Sequence, residues 1–354
     1  MNLKYRTIIS QQFDYRKNAL NTLKIIAALQ VAYGHMIVHL QVDVPSIISR
    51  VFGFFMGVPI FFILSGFLIW NSVGKSKNAK DYAIKRATRI FPELWIGVVI
   101  EIILLLVFLN GAINWLMLGV FAFGQSTVFQ FYTPDFLRVY GCGTPNGALW
   151  TLGVTIQFYC AVWFIYKLMH NKNIRWWLSV LTISIAIKAA SPYIANALPE
   201  LLGKLWNQTL LPYLWMFIFG AFLAQYKDKA IPFLKKTWWI LLGISLVIGI
   251  LKLDIDSANY GVFKYLFRVS GFIGLCYNIP AFNIKFDFSY GLYIYHMIIV
   301  NLMIELGFIG KWYHLIIAMV VSVAVACAST CAGNYISDII GKKRQWRKNY
   351  EHKT

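Results

Sequence analysis

The sequence predicts an all-α polytopic membrane protein: a bundle of about ten transmembrane helices with both termini in the cytoplasm. Three observations predict it. Hydrophobic types make up 59% of the 354 residues and charged types only 13%, against about 45–50% and roughly 25% in an ordinary soluble domain. Mean hydropathy is +0.61. The apolar residues gather into stretches long enough to cross a bilayer, which takes roughly 20 residues at about 1.5 Å of helix rise each. This composition excludes a soluble globular enzyme, a disordered chain and a nucleic-acid binder. The formal charge of +19 therefore belongs to membrane topology and lipid headgroups, not to DNA or RNA.

By that ruler ten spans follow in order. The first, 18–40, comes after Lys4, Arg6, Arg16 and Lys17 with no small-residue cleavage site, so it reads as a retained span and not a removable signal peptide. The second, 51–72, is interrupted by Gly57-Val58-Pro59, and the third, 93–110, closes on Asn110-Gly111. The apolar stretch 112–129 runs on directly and reads as a partly buried or re-entrant piece of the following loop, with an eleventh full span as its rival. The remaining spans are 148–169, 175–195, 208–226, 236–253, 262–282, 288–309 and 313–340. Ten spans put both termini beside the loops around 73–92, 170–174, 227–235 and 283–287. That side holds 24 of the 33 Lys and Arg residues and the other side five, with four inside spans. Such asymmetry is what the positive-inside rule gives for cytoplasmic termini. The chain divides into a cytoplasmic segment 1–17, a membrane domain 18–340 and a basic tail 341–354, where Lys342 to Lys348 suits anionic headgroups. The five cysteines lack CxxC or metal-ligand spacing, so neither a disulfide framework nor a metal site is expected.

Ionisable groups inside spans are costly and mark functional sites. Lys24 and His35 are eleven residues apart on the first span, which puts them on one helix face, roughly 16 Å apart along the axis. Histidine near mid-membrane suits a general base; an interhelical hydrogen-bonding His with a snorkelling Lys fits the same pattern. Arg86 and Arg89, at i,i+3 on a helix entering from the cytoplasm, suit a bidentate grip on phosphate, and they suit plain topological charge equally. Glu101, Lys188, Lys264, Arg268 and Glu305 also fall inside spans, with structural ion pairs as the alternative to chemistry; Glu101 is the candidate partner for a histidine.

Three further strings carry a resemblance. They are Gly57-Val58-Pro59-Ile60-Phe61-Phe62-Ile63-Leu64-Ser65-Gly66, Leu149-Trp150-Thr151-Leu152-Gly153-Val154-Thr155-Ile156-Gln157-Phe158-Tyr159, and Ser289-Tyr290-Gly291-Leu292-Tyr293-Ile294-Tyr295-His296. With the Lys–x10–His stretch before them and Arg86-x-x-Arg89-Ile90-x-Pro92 between, the chain resembles the integral-membrane acyltransferase 3 family from about residue 18 to 340. The resemblance implies ten helices in a bacterial cytoplasmic (inner) membrane, and transfer of an acyl group, usually acetyl, from cytoplasmic acyl-CoA (acetyl-CoA) to a hydroxyl of a cell-surface carbohydrate. No bound cofactor is implied. The partners implied are acyl-CoA, a carbohydrate acceptor, membrane lipids and polysaccharide-assembly proteins. Carried over residue by residue, His35 is the catalytic base, and Lys24 stands where the family has arginine. Arg86 and Arg89 contact the donor, and His296 falls on the late histidine, in a packing or a catalytic role. Ser65, Trp150, Gln157 and Tyr159 are supporting candidates beside Glu101 and His296. Ser65, Gln157 or Tyr159 would steady a developing oxyanion or serve as packing hydrogen bonds.

Departures from the family pattern are informative. Lys24 keeps the charge of an arginine but loses its fork, Asn21 replaces a common aspartate, and Thr155 replaces a common glutamate. If that acid steadies the histidine in relatives, another group must do so here. Some relatives carry a further extracytoplasmic hydrolase-like domain, which this chain is expected to lack. The non-enzyme alternative is a secondary transporter or lipid-linked sugar flippase with His35, Glu101 and Lys188 as a proton relay, although no internal repeat supports it.

Overall fold

A computed structural model describes residues 14–109, 111, 113–130, 132–255 and 260–351. The segment 1–13 with Lys4 and Arg6, Asn110, and the side chains of the basic tail lie outside the described residues. Among those residues the chain is helical and has no strand. Thirteen α-helices follow in order: α1 Leu20–His39, α2 Ser46–Phe54, α3 Gly57–Gly74, α4 Ala79–Phe108, α5 Trp115–Ser126, α6 Trp150–Met169, α7 Ile174–Ala197, α8 Glu200–Trp206, α9 Leu214–Gln225, α10 Lys227–Leu251, α11 Val262–Asn278, α12 Ser289–Glu305 and α13 Trp312–Glu351.

Among the described residues, seven stretches are long and apolar enough to cross a membrane: Ser46–Gly74, Ala79–Phe108, Gly147–Met169, Ile174–Ala197, Glu200–Gln225, Lys227–Leu251 and Trp312–Ile339. The three expected spans outside that set are α1, α11 and α12. Helices α11 and α12 have 17 residues each, and α1 carries Lys24, Gln30, His35 and His39. Most of α12 is buried, Ser289 and His296 included, so other helices stand between it and lipid. Polar residues and short length are tolerated where protein, not hydrocarbon, surrounds a helix. Helix α5, twelve residues or about 18 Å long, is too short to span. It packs Leu118 and Phe121 against Leu105 of α4, and the Trp95 indole donates to the Ser126 carbonyl at 3.1 Å.

One expected span divides. The stretch 51–72 breaks into α2 and α3, because Gly57 presses against α1. A Cβ at Gly57 would meet the Ala27 carbonyl oxygen at 2.4 Å, and the Gly57 N–H donates to Gln30 Oε1 at 2.7 Å. Helix α4 starts earlier than its expected span, at the Asn78 cap whose side chain accepts from the Asp81 N–H at 2.8 Å. It thereby carries Arg86 and Arg89 on a continuous helix.

Helices do not attract one another in lipid by apolar burial; close van der Waals approach holds them. The tightest crossing joins α3 and α9. A Cβ at Gly220 would lie 1.9 Å from the Ile63 oxygen, and one at Gly66 would lie 2.1 Å from the Phe217 oxygen. Helices α1, α12 and α13 form a second packed group through Ala28, Ala32, Met36, Val300, Ala318 and Ala326. At one end of the bundle Tyr15 donates to Asp228 at 2.5 Å, Gln225 to the His170 carbonyl at 2.8 Å, and Asn278 to the Lys235 carbonyl at 2.8 Å. Toward the other end the Gly141 N–H donates to Glu305 at 2.6 Å and the Gly310 N–H to the Leu40 carbonyl at 2.8 Å.

Candidate active site

A cavity of about 150 Å³ opens among α1, α3, α4, α6 and α12. Lys24, Arg86 and Arg89 line it, with Ser65, Thr151, Thr155, Tyr159, Ser289, Tyr290 and Tyr293 and a wall of Val58, Phe61, Leu64 and Leu68. Arg89, with its side chain 59% exposed, stands at the mouth, while Lys24 at 12% lies within. Arg86 donates to Ser72 Oγ at 3.2 Å and lies 6.0 Å from the Tyr159 ring centroid. Its Nε is buried with no acceptor. A guanidinium at a cavity wall without a carboxylate partner suits an anion.

One carboxylate answers two of the three cations. Asp287, just before α12, is paired with Lys24 and lies 3.7 Å from Arg89; it also accepts from the Ser289 hydroxyl at 2.6 Å. Burial pulls its carboxyl up, but the Lys24 ammonium, the Ser289 hydroxyl and Arg89 together outweigh that and hold it below the usual carboxylate range. Sequence reading missed Asp287 because it counted basic residues by side and not the few acids among them. Its place two residues before the Ser289-Tyr290 string was the available signal.

His35 faces the same helix as Lys24, as the eleven-residue spacing requires. Its Nδ1 lies 2.8 Å from Nε2 of His296 on α12, with the rings stacked at 5.1 Å. His296 is fully buried and its Nδ1 lies 3.0 Å from the Leu292 carbonyl oxygen. Neither histidine lines the cavity; Tyr293 connects them to it. The Tyr293 ring stands edge-on to His296 at 5.9 Å and to Phe61 at 5.7 Å. Its hydroxyl donates to the Ala148 carbonyl at 2.8 Å and also meets Thr151. The i,i+3 spacing of Tyr293 and His296 already put them on one face, yet the sequence reading gave Tyr293 no role.

The other named residues scatter. Ser65, Tyr159 and Thr155 line the cavity, the last with its hydroxyl spent on the Thr151 carbonyl at 2.8 Å. Trp150 instead packs on Tyr213. Gln157 accepts from the Leu210 N–H at 2.9 Å and donates to the Gln208 carbonyl at 2.8 Å, so it ties two segments together and does not face the cavity. Glu101 is 2% exposed, and neither of its oxygens is hydrogen-bonded, to a histidine or to anything else described. Lys188 sits on α7, whose main partners are α8 and α9, away from the α1–α12 pair. His35, Glu101 and Lys188 are therefore not gathered into a relay. A second, polar cavity of about 160 Å³ lies behind Arg89, lined by Glu93, Asn334 and Ser337, where Glu93 accepts from Thr330 at 2.8 Å.

Residues 17–331 match the acyltransferase domain that defines one family of membrane enzymes. The chain belongs to the acyltransferase 3 family. It is an enzyme, an acyltransferase of the O-acetyltransferase type. The acyltransferase is 27% identical over 340 residues to Nodulation protein 10 of Rhizobium leguminosarum bv. viciae, covering 88% of this chain and 91% of that protein. It is 25% identical over 298 residues to the O-acetyl transferase of Shigella phage Sf6, covering 79% and 84%. Identity to the peptidoglycan O-acetyltransferase of Listeria monocytogenes is 27% over 182 residues, 49% of this acyltransferase and 27% of that protein. No solved structure matches the acyltransferase.

Proposed function

We propose that this acyltransferase moves an acetyl group from cytoplasmic acetyl-CoA to a hydroxyl of a cell-surface or lipid-linked carbohydrate, such as O-antigen, capsule or exopolysaccharide, with His35 as general base. The observation that carries the reading is the cavity lined by Lys24, Arg86 and Arg89, of which Asp287 pairs the first and the last, leaving Arg86 without a carboxylate partner among the described residues. Three cations lining one cavity fit the phosphates of coenzyme A, and the apolar wall fits the pantetheine arm. The relatives named as O-acetyl transferases support a hydroxyl acceptor.

In this reading the phosphates stay at Arg86 and Arg89 while the thioester passes Tyr293 toward His35. The imidazole takes the proton of the acceptor hydroxyl, and the oxygen attacks the thioester carbonyl. The carbon–sulfur bond then breaks, and the imidazolium returns the proton to the leaving thiolate. Exchange of a thioester for an oxygen ester is downhill, so no nucleoside triphosphate is needed. Loops expected on the cytoplasmic side converge at the end that holds the cavity mouth, around Tyr15, His170, Asp228 and Asp287. That convergence supports placing those loops on one side of the membrane, as ten spans with cytoplasmic termini require; an inner-membrane setting and polysaccharide-assembly partners are part of the proposal. Membership of an acyltransferase family favours the enzyme over a transporter.

The test is radiolabelled acetyl-CoA offered to membranes carrying the full chain. Label should reach extractable carbohydrate, and His35→Ala should abolish its arrival at unchanged protein level. Full transfer by that variant removes His35 from the mechanism; acceptor translocation without label removes the acyl-transfer reading itself.

A further inference from the structure

No carboxylate bonds to His35 among the described residues. Thr155 spends its hydroxyl on its own helix, and Glu101 bonds to neither histidine. The group that orients His35 must be sought elsewhere, and hydrogen-bond logic finds it. His296 Nδ1 lies 3.0 Å from the Leu292 carbonyl oxygen, one turn earlier on α12. A carbonyl oxygen can only accept, so Nδ1 carries the proton. His296 is wholly buried, and no carboxylate bonds to it among the described residues, which keeps the ring neutral. Its Nε2 therefore holds a lone pair. His35 Nδ1, 2.8 Å away, must then be a donor. The opposite assignment would press a nitrogen lone pair against the Leu292 oxygen at 3.0 Å.

We infer that His296 is the positioning residue of this enzyme, a neutral imidazole that fixes the tautomer and orientation of His35 through the sequence Leu292 carbonyl, His296, His35. The inference rests on the reading of His35 as the base and deepens it. With Nδ1–H committed to His296, the lone pair of His35 lies on Nε2, the nitrogen that makes no hydrogen bond among the described residues. When His35 accepts a proton there, its Nδ1–H bond to His296 persists and strengthens, because a charged donor bonds more tightly than a neutral one. His296 supplies a dipole and no carboxylate; it orients without adding a negative charge.

Two substitutions separate positioning from packing. Gln carries its terminal amide about as far out as histidine Nε2, whereas Asn reaches only as far as Nδ1. His296→Leu and His296→Asn should lower the maximal rate of transfer from acetyl-CoA by about 100-fold and leave KM for acetyl-CoA within about twofold. His296→Gln, which offers an amide oxygen to His35 Nδ1–H, should recover most of that rate. An inactive His35→Ala beside a His296→Leu of ordinary rate overturns the inference and leaves the base intact; so does a His296→Gln no better than His296→Asn. A fully active His35→Ala overturns both. Where variants fail to accumulate, ¹⁵N-histidine NMR of the unmodified full chain in lipid decides: the proton of neutral His35 on Nδ1 supports the inference, and on Nε2 overturns it.

Discussion

Arg86 and Asp287 set the charge of the cavity, the first in its lining and the second by pairing with Lys24 and Arg89. Arg86 has a buried Nε without an acceptor, and a charge-assisted hydrogen bond is worth about 1.5–3 kcal/mol. Arg86→Ala should therefore raise KM for acetyl-CoA about tenfold or more, with a smaller change in kcat, as steady-state kinetics in detergent will show. Asp287 holds Lys24 and Arg89 together. Its carboxyl is depressed in the folded protein, so its stabilisation is fully present above the pKa it has in the unfolded chain. That stabilisation is lost as pH falls through the lower, folded-state value. Thermal unfolding followed across the acid range should thus show a fall in Tm at low pH that is shallower in Asp287→Asn. Neither residue's partner was legible in the sequence. Arg86 and Arg89 could be found from their i,i+3 spacing, but a pair such as Lys24 and Asp287, separated by 263 positions, is made only by the fold.

At the scale of helices, the sequence reading placed helices at both elements nearest the chemistry, although their composition and length set them apart from the seven apolar stretches. Helix α1 is studded with polar groups, and α12 is short and buried; both look poor as isolated spans because they face protein. The break between α2 and α3 was hidden for a related reason. Gly57-Val58-Pro59 was visible as an interruption, but only contact with Ala27 and Gln30 turns it into a corner. Glycine matters more plainly where α3 crosses α9, since a side chain at Gly220 would strike the Ile63 carbonyl at 1.9 Å. Gly220→Ala should force the helices apart and destabilise the protein by about 1–3 kcal/mol, read as a lower Tm in detergent. Because α3 also carries Ser65 and Phe61 into the cavity, the variant should bind acetyl-CoA less tightly as well.

For the molecule as a whole, composition and charge were enough to read a helical membrane protein, and five motifs in register were enough to read the family. The site was legible in its parts and not in its connections: the cations by spacing, the two histidines by motif, the ring between them not at all. That ring has a consequence beyond chemistry. Tyr293, tethered by its hydroxyl to Ala148 and braced by Phe61, lines the cavity and stands edge-on to His296, which does not line it. A membrane that stores a voltage cannot tolerate a continuous wet path through one of its enzymes, and in the proposed mechanism the Tyr293 ring closes that path whenever no donor is threaded past it. Liposomes bearing Tyr293→Ala should dissipate an imposed proton gradient faster than those bearing the unmodified chain, and equal leakage would assign the seal to another residue.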